Sequence, residues 1–338
     1  MHPLAQGILD GEVRAAARAM RLVDDRQPGA VELLKDIFPH TGKAYVVGVT
    51  GNPGSGKSTL CDRLIEIVRK EGKRVGVIAV DPTSPYSGGA ILGDRIRMNR
   101  HATDPGVFIR SVATRGHLGG LSRSARDLVR VLDAFGSDVI LVETVGVGQD
   151  ELEVTRTAHT TLVVVAPGLG DDVQAIKAGL MECADVFAVN KADRDGADAT
   201  IRDLQLMIAL GGESMVAGGR QRGHVTHGAD EPLHAKAPPP ESWTPPIVRC
   251  VALRNEGVAD LYDALGRHRA WLSETEAGRA RRRQRLAEEV RETLREALID
   301  AATDTLEAEL EQAVLAVERK EVDPYTATES LITLFRSR

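Results

Sequence analysis

Gly51-Asn52-Pro53-Gly54-Ser55-Gly56-Lys57-Ser58 follows directly on the apolar run 45–49 and opens into a segment with helical spacing, Leu60, Leu64, Ile67 and Val68. The pattern G-x-x-x-x-G-K-S between a strand and a helix leaves a chain little choice of fold. Its glycines let backbone N–H groups converge on phosphate oxygens, and a helix over 57–69 would turn its positive end on the same anion. Lys57 would reach the β- and γ-phosphates, and the Ser58 hydroxyl would ligate Mg²⁺. Gly51, Asn52, Pro53, Gly54, Ser55, Gly56, Lys57, Ser58 and Thr59 are therefore the expected phosphate cradle.

Further apolar runs fall at 75–80, 107–112, 139–142, 162–166, 186–189 and 247–253. Most are continuous and β-branched, as strands buried on both faces read. Helical periodicity fills the gaps, as in Leu128, Val131, Leu132 and Phe135. Such a βαβ series predicts an α/β fold of the P-loop NTPase class, a mostly parallel sheet flanked by helices, with helical extensions at both ends. Aromatic residues are 3% of the chain, so Ala, Val, Leu and Ile must fill that core.

A magnesium–nucleotide site needs acids at neighbouring strand ends, where open α/β sheets bind their ligands. Asp138-Val139-Ile140-Leu141-Val142-Glu143 is an apolar strand ending in an acid, and Asp81 ends the run 75–80 in the same manner. Either carboxylate can hold Mg²⁺, its water shell or an attacking water. Asn190-Lys191-Ala192-Asp193 follows the run 186–189 and fits N-K-x-D, the guanine-reading element. Asp193 would accept hydrogen bonds from N1–H and the 2-amino group of guanine, donors that adenine lacks. The Lys191 stem would lie along the base, and Asn190 would tie its loop to the phosphate cradle. Ala252 and Leu253, at the end of the last predicted strand, complete the expected nucleotide contacts.

Around this core, residues 1–40 read as an N-terminal helical extension with Val13, Ala16, Ala17 and Met20 on one apolar stripe. Residues 41–273 form the expected G domain, and 274–338 a C-terminal helical arm with Leu286, Val290, Leu294 and Leu298 at helical spacing. The Gly- and Pro-rich stretch 211–246 reads as a mobile insertion loop before the last strand. It carries His224, His227 and His234, a trio without the Cys or carboxylate partners that a metal site wants.

Net charge is −6, which argues against wrapping nucleic acid, and Arg279-Ala280-Arg281-Arg282-Arg283 reads as a solvated helix face. No stretch of about 18 apolar residues could span a bilayer, and Met1-His2-Pro3-Leu4 does not open a signal peptide. Cys61, Cys183 and Cys250 are far apart and apolar in context, so reduced core thiols and a cytoplasmic location are expected.

Longer segments resemble one family. Asp81-Pro82-Thr83-Ser84 with Gly88-Gly89-Ala90-Ile91-Leu92-Gly93-Asp94-Arg95-Ile96-Arg97-Met98 looks like the first switch of the MeaB/ArgK/MMAA family. Thr114-Arg115-Gly116-His117-Leu118-Gly119-Gly120, Glu143-Thr144-Val145-Gly146-Val147-Gly148-Gln149 and the stretch 167–179 are similar to its next segments. Ser242-Trp243-Thr244-Pro245-Pro246 matches the approach to its final strand. The resemblance implies a GTP-hydrolysing chaperone that gates cobalamin loading and protects or reactivates an adenosylcobalamin-dependent acyl-CoA mutase, such as methylmalonyl-CoA mutase. It further implies slow GTP turnover until the mutase docks, GTP or GDP with Mg²⁺ as cofactors, and a homodimer joined by the C-terminal helices. By position Asp94 would join Ser58 around Mg²⁺, with Asp81 and Glu143 nearby, and 168–179 would sense the partner. The departures, Asn52-Pro53-Gly54-Ser55 in the cradle and Arg95-Ile96 after Asp94, bear on which mutase is served.

The catalytic set is then Lys57 with Asp81, Glu143 and Gln149, the last three being candidates to position the attacking water. Three other readings stand beside this one: a metal-delivering GTPase of the nickel or cobalt type, a transport-associated kinase, and a non-hydrolysing scaffold.

Overall fold

The computed structural model describes residues 1–82, 99–101, 103–114, 120–144, 156–168, 183–218 and 242–337, and only the backbone of 81–82, 99, 113–114, 120–123 and 211–218. Asp94, Gln149, the three loop histidines and most of the expected mobile segments lie outside these residues. The described chain divides into two units, Met1–Gly278 and Arg279–Arg338.

In the first unit β1 (Tyr45–Thr50), β2 (Val75–Pro82), β3 (Val107–Thr114), β4 (Val139–Thr144), β5 (Thr160–Val165), β6 (Val186–Val189) and β7 (Ile247–Arg249) form one sheet. Their order is β3-β2-β4-β1-β5-β6-β7, and each registered pair is parallel. β1 and β4, both completely buried, sit side by side with Val49 opposite Glu143. The chain winds from β1 to one side through β2, β3 and β4, then to the other through β5, β6 and β7. A parallel sheet of this order opens a crevice beyond the strand ends where the winding reverses, beside β1.

The pleat of β1 assigns its side chains to opposite layers. Val46 belongs to a cluster with Ile78, Val80, Ile140 and Val142, covered by α1 (Pro3–Leu9), α2 (Val13–Asp24), α3 (Ala30–Ile37) and the helix Gly120–Ala134. Tyr45, Val47 and Val49 face the other layer, packed by α4 (Lys57–Lys70) and the helix Val258–Glu274. In chain order the helices after α4 are α5 (Gly120–Ala134), α6 (Ala197–Gly218), α7 (Val258–Glu274), α8 (Glu276–Thr305), α9 (Glu307–Glu318) and α10 (Pro324–Ser337). Leu128, Val131 and Leu132 of α5, and Phe135 just after it, are all buried, as their spacing predicts. Each such side chain contributes about 1.5–3 kcal/mol on leaving water.

Three sequence expectations are corrected. In α2 the buried positions are Ala15, Ala16, Ala19, Met20 and Val23, whereas Val13 is 56% exposed and Ala17 half-buried. The stripe is rotated toward Ala15 and Ala19, whose small methyl groups are buried beside Ala16 and Met20. β7 ends at Arg249 and not at 253, since Ala252–Arg254 turns into a short 3₁₀ segment. The insertion 211–246 does not begin as a loop, because α6 continues through Gly218.

Polar groups fasten the foot of the sheet. The Tyr45 hydroxyl lies 2.5 Å from the Thr160 hydroxyl and donates to the Leu265 carbonyl at 2.8 Å. Thr160 Oγ1 is 2.7 Å from Nδ1 of His268, whose Nε2 is 3.4 Å from Asp185, all of them buried. The Trp243 indole donates to the Asp185 carbonyl at 2.8 Å and packs on the His268 ring. The starts of β1, β5 and β6, the run-in to β7 and the body of α7 are thereby linked. Burial pushes the Tyr45 phenol far above its ordinary range, so it remains a neutral donor.

Cys61 and Cys250 are buried, Cys183 is half-buried, and none is in a disulfide. Desolvation first, with Asp260 adding to it, pushes the Cys250 thiol up to about 12, as a core thiol requires. No helix among the described residues is long and apolar enough to cross a membrane.

Candidate nucleotide and catalytic site

The carboxyl ends of β1, β2, β4, β6 and β7 carry the predicted site residues to one end of the sheet. β1 ends at Thr50, and the loop 51–56 returns the chain into α4. Gly51, Gly54 and Gly56 have φ of 136°, 79° and 95°, a region that residues with a Cβ avoid. Two of them are also places of close approach. A Cβ on Gly51 would stand 2.0 Å from the Val164 carbonyl oxygen, and one on Gly56 would stand 2.2 Å from Nδ2 of Asn190. The loop is thus wedged between β5 and the guanine-reading segment, with the N-terminus of α4 aimed into it.

Lys57 is buried and donates from Nζ to the carbonyls of Gly51 at 2.6 Å and Asn52 at 3.0 Å, so its ammonium lies across its own loop. Ser58, 7% exposed, donates from Oγ to Oε1 of Glu143 at 2.7 Å. Glu143 is 2% exposed at the end of β4, and beside it Thr144 donates to the Thr50 hydroxyl at 3.2 Å. A buried carboxylate next to a hydroxyl, beneath a loop of backbone N–H groups, is a hard-oxygen donor pair of the kind Mg²⁺ takes. These residues fit the cation expected with a nucleotide. Asp81 is placed by its backbone at the end of β2, opposite Ala113 of β3.

The N-K-x-D segment follows β6. Asn190 is 3% exposed and bridges two loops: its Nδ2 donates to the Ser55 carbonyl at 2.8 Å, and its Oδ1 accepts from the Ala252 N–H at 3.0 Å. The expected tie to the phosphate cradle is present, with a second arm to the loop after β7. Lys191, at a φ of 56°, donates from Nζ to the Gly54 carbonyl at 2.7 Å, so its stem spans the gap between the loops. Asp193 stands at the rim, and Leu253 is 78% exposed.

Two residues that sequence reasoning passed over contribute here. Arg63 of α4 donates from Nε to the Ala252 carbonyl at 3.0 Å and from Nη2 to the Leu253 carbonyl at 3.3 Å. Arg254 pairs with Asp193 at 3.4 Å. Neither belongs to a motif. The one signal for Arg63 is its place in the second turn of the helix that opens with Lys57-Ser58.

Residues 16–307 match the family model described as "Methylmalonyl Co-A mutase-associated GTPase MeaB". A protein of Pyrococcus abyssi is 46% identical over 330 residues, which cover 97% of this chain and 95% of the relative. The GTPase ArgK of Escherichia coli is 39% identical over 259 residues, covering 75% of this chain and 72% of its own. Among solved structures, one titled as a LAO/AO transport system kinase superposes with a TM-score of 0.64 at 27% identity, covering 98% of this chain and 96% of that one.

Proposed function

The chain belongs to the family of methylmalonyl-CoA mutase-associated GTPases, and from that premise we propose a Mg²⁺-dependent GTPase that serves as chaperone to an adenosylcobalamin-dependent acyl-CoA mutase. It is a P-loop GTPase that binds guanine nucleotide. The finer reading is that GTP binding and hydrolysis gate cobalamin loading and protect or reactivate the mutase. Its location would be cytoplasmic.

The observation that carries the chemistry is the buried Ser58–Glu143 pair at 2.7 Å, set beneath the Lys57 loop. Ser58 and Glu143 would hold Mg²⁺ or its water shell, with Asp81 and Asp94 as further ligands. The cation supplies charge neutralisation between the β- and γ-phosphates. Lys57 would leave the Gly51 and Asn52 carbonyls to take up phosphate oxygens, and Asp81, Glu143 or Gln149 would orient the attacking water. Asn190, joined to Ser55 and Ala252, would keep the phosphate and base halves of the site in register.

The self-association reading rests on α8. Leu286, Val290, Leu294 and Leu298 recur every fourth residue along it and are 60%, 67%, 56% and 51% exposed. Charge is biased along the same helix: Arg279, Arg281, Arg282, Arg283 and Arg285 follow Glu276 in its first half, while Glu288, Glu289, Glu292, Glu296, Asp300 and Asp304 outnumber Arg291 and Arg295 in its second. An antiparallel second copy would bring basic half onto acidic half while covering the apolar stripe. The residues 274–338 would then act as a dimerisation arm.

The test is GTP and ATP hydrolysis by the pure protein, alone and with acyl-CoA mutases of the same source. Slow GTP turnover that one mutase accelerates, with ATP inert, is expected. Turnover indifferent to every mutase would remove the chaperone reading, and ATP-driven phosphoryl transfer to another protein would replace it with a kinase.

A further inference from the structure

The base-reading end of the site holds a cation that no motif supplies. Arg254, in the 3₁₀ segment after β7, reaches Oδ2 of Asp193 with Nη2 at 3.4 Å and Oε1 of Glu256 with Nε at 3.1 Å. The guanidinium is thus held at both ends, by Glu256 two residues along the chain and by the carboxylate of N-K-x-D. The loop that carries it is itself fixed. The Ala252 N–H is held by Asn190, the Ala252 and Leu253 carbonyls by Arg63, and the Val251 N–H by the Glu256 carbonyl at 3.0 Å. Gly257 closes the turn at a φ of 70°, where a Cβ would stand 1.9 Å from the Arg249 carbonyl oxygen. Arg254 therefore projects from a built platform and not from a free surface loop.

We propose that Arg254 is a positioning residue for nucleotide selection, holding the Asp193 carboxylate turned toward the base and so sharpening the choice of guanine. The proposal rests on Asp193 being the reader of the base edge. A carboxylate offers about four lone-pair sites on its two oxygens, while guanine N1–H and its 2-amino group use two. Arg254 can stay on Oδ2 while both base contacts form, and it need not be displaced. Asp193 is 40% exposed, and without a fixed neighbour its side chain would sample several rotamers, each costing order when the base arrives. A planar guanidinium anchored on Glu256 removes that freedom beforehand, which a lysine at the same position would do less well. Because the pair is exposed, the effect is modest in size and is read as selectivity.

The measurement is affinity of the full chain for GDP, IDP and ADP, by calorimetric titration with Mg²⁺ present, for wild type, Arg254→Ala, Arg254→Lys and Asp193→Asn. IDP lacks the 2-amino group, so the GDP-to-IDP ratio reports on the second contact of Asp193. In Arg254→Ala, GDP binding should weaken about two- to five-fold, the GDP-to-IDP ratio should shrink, and Arg254→Lys should restore part of both. In the Asp193→Asn background, Arg254→Ala should change nothing further. Unchanged or tighter GDP binding in Arg254→Ala would overturn the proposal, since the pair would then be incidental or a competitor of the base. Equal weakening of GDP and IDP, or a further loss in the Asp193→Asn background, would overturn it too. Should Asp193→Asn itself keep the full preference for GDP over ADP, the guanine reading fails, and that result is separate from the others. Arg254 is 55% exposed, so the thermal midpoint should stay at the wild-type value.

Discussion

At the scale of single residues, Glu143 carries two duties that substitution can separate. Its Oε1 accepts from Ser58, and its carboxylate is one of the groups proposed above to hold Mg²⁺. Glu143→Gln keeps an oxygen acceptor for the Ser58 hydroxyl and removes the charge. GTP turnover should fall by about 10²-fold or more, with the thermal midpoint nearly unchanged, as paired hydrolysis and melting measurements would reveal. Retained turnover would show that the carboxylate is structural only. The cradle itself was legible residue by residue, because its glycines are demanded by backbone approach and its lysine and serine by phosphate and cation chemistry. Gly51 illustrates this: the Val164 carbonyl oxygen occupies the space of any side chain there. Arg63 and Arg254 were not legible, since an arginine on a helix or turn is ordinarily a solvated charge. Only the fold brings their guanidinium groups to Ala252, Leu253 and Asp193.

Among elements, strands were easier to read than their ends. The continuous apolar runs gave all seven described strands, most securely β1, β4, β5 and β6, whose residues are all buried; β7, with a partly exposed face, was carried by its β-branched Ile247 and Val248. β7 stops early because the Ala252 N–H is turned to Asn190 instead of to a strand partner, a bond between residues far apart in sequence. The reach of α6 to Gly218 was hidden by Gly211 and Gly212, which propensity alone reads as breakers. One contact between elements gives a pH signature. Arg69 of α4 forks onto Asp104, just before β3, with both donors at 2.9 Å. The Arg69 hydrogen bonds, helped by the Gly106 N–H, hold the Asp104 carboxyl below the usual carboxylate range. A depressed folded-state pKa contributes stability that is complete above the unfolded value and disappears as pH falls through the folded one. Arg69→Ala should therefore lower the melting temperature at neutral pH by an amount corresponding to about 1 kcal/mol or less. The gap to wild type should narrow as the pH is taken below about 4. A gap that stays constant across that range would mean that lost packing, not the ion pair, is what the variant reports.

On the scale of the whole molecule, the self-association reading rests on the apolar stripe of α8, four large side chains each more than half exposed among the described residues. Leu294→Asp should convert a dimer into a monomer in sedimentation experiments while leaving nucleotide affinity intact. An unchanged mass would remove this stripe as a self-association surface. Sequence spacing showed this stripe clearly, but not whether a neighbouring helix would cover it, because coverage depends on how elements are arranged and not on their period. The sheet adds a property of another kind. Its registered strands all run one way, so the cradle loop 51–56 and the segment 190–193 share one rim while Tyr45, Thr160, His268, Asp185 and Trp243 rivet the opposite rim. A fan riveted at its base can spread its outer edge by small angles without coming apart. Rearrangement at the nucleotide rim then leaves the foot undisturbed, and amides at that foot should be among the last in the protein to exchange with solvent.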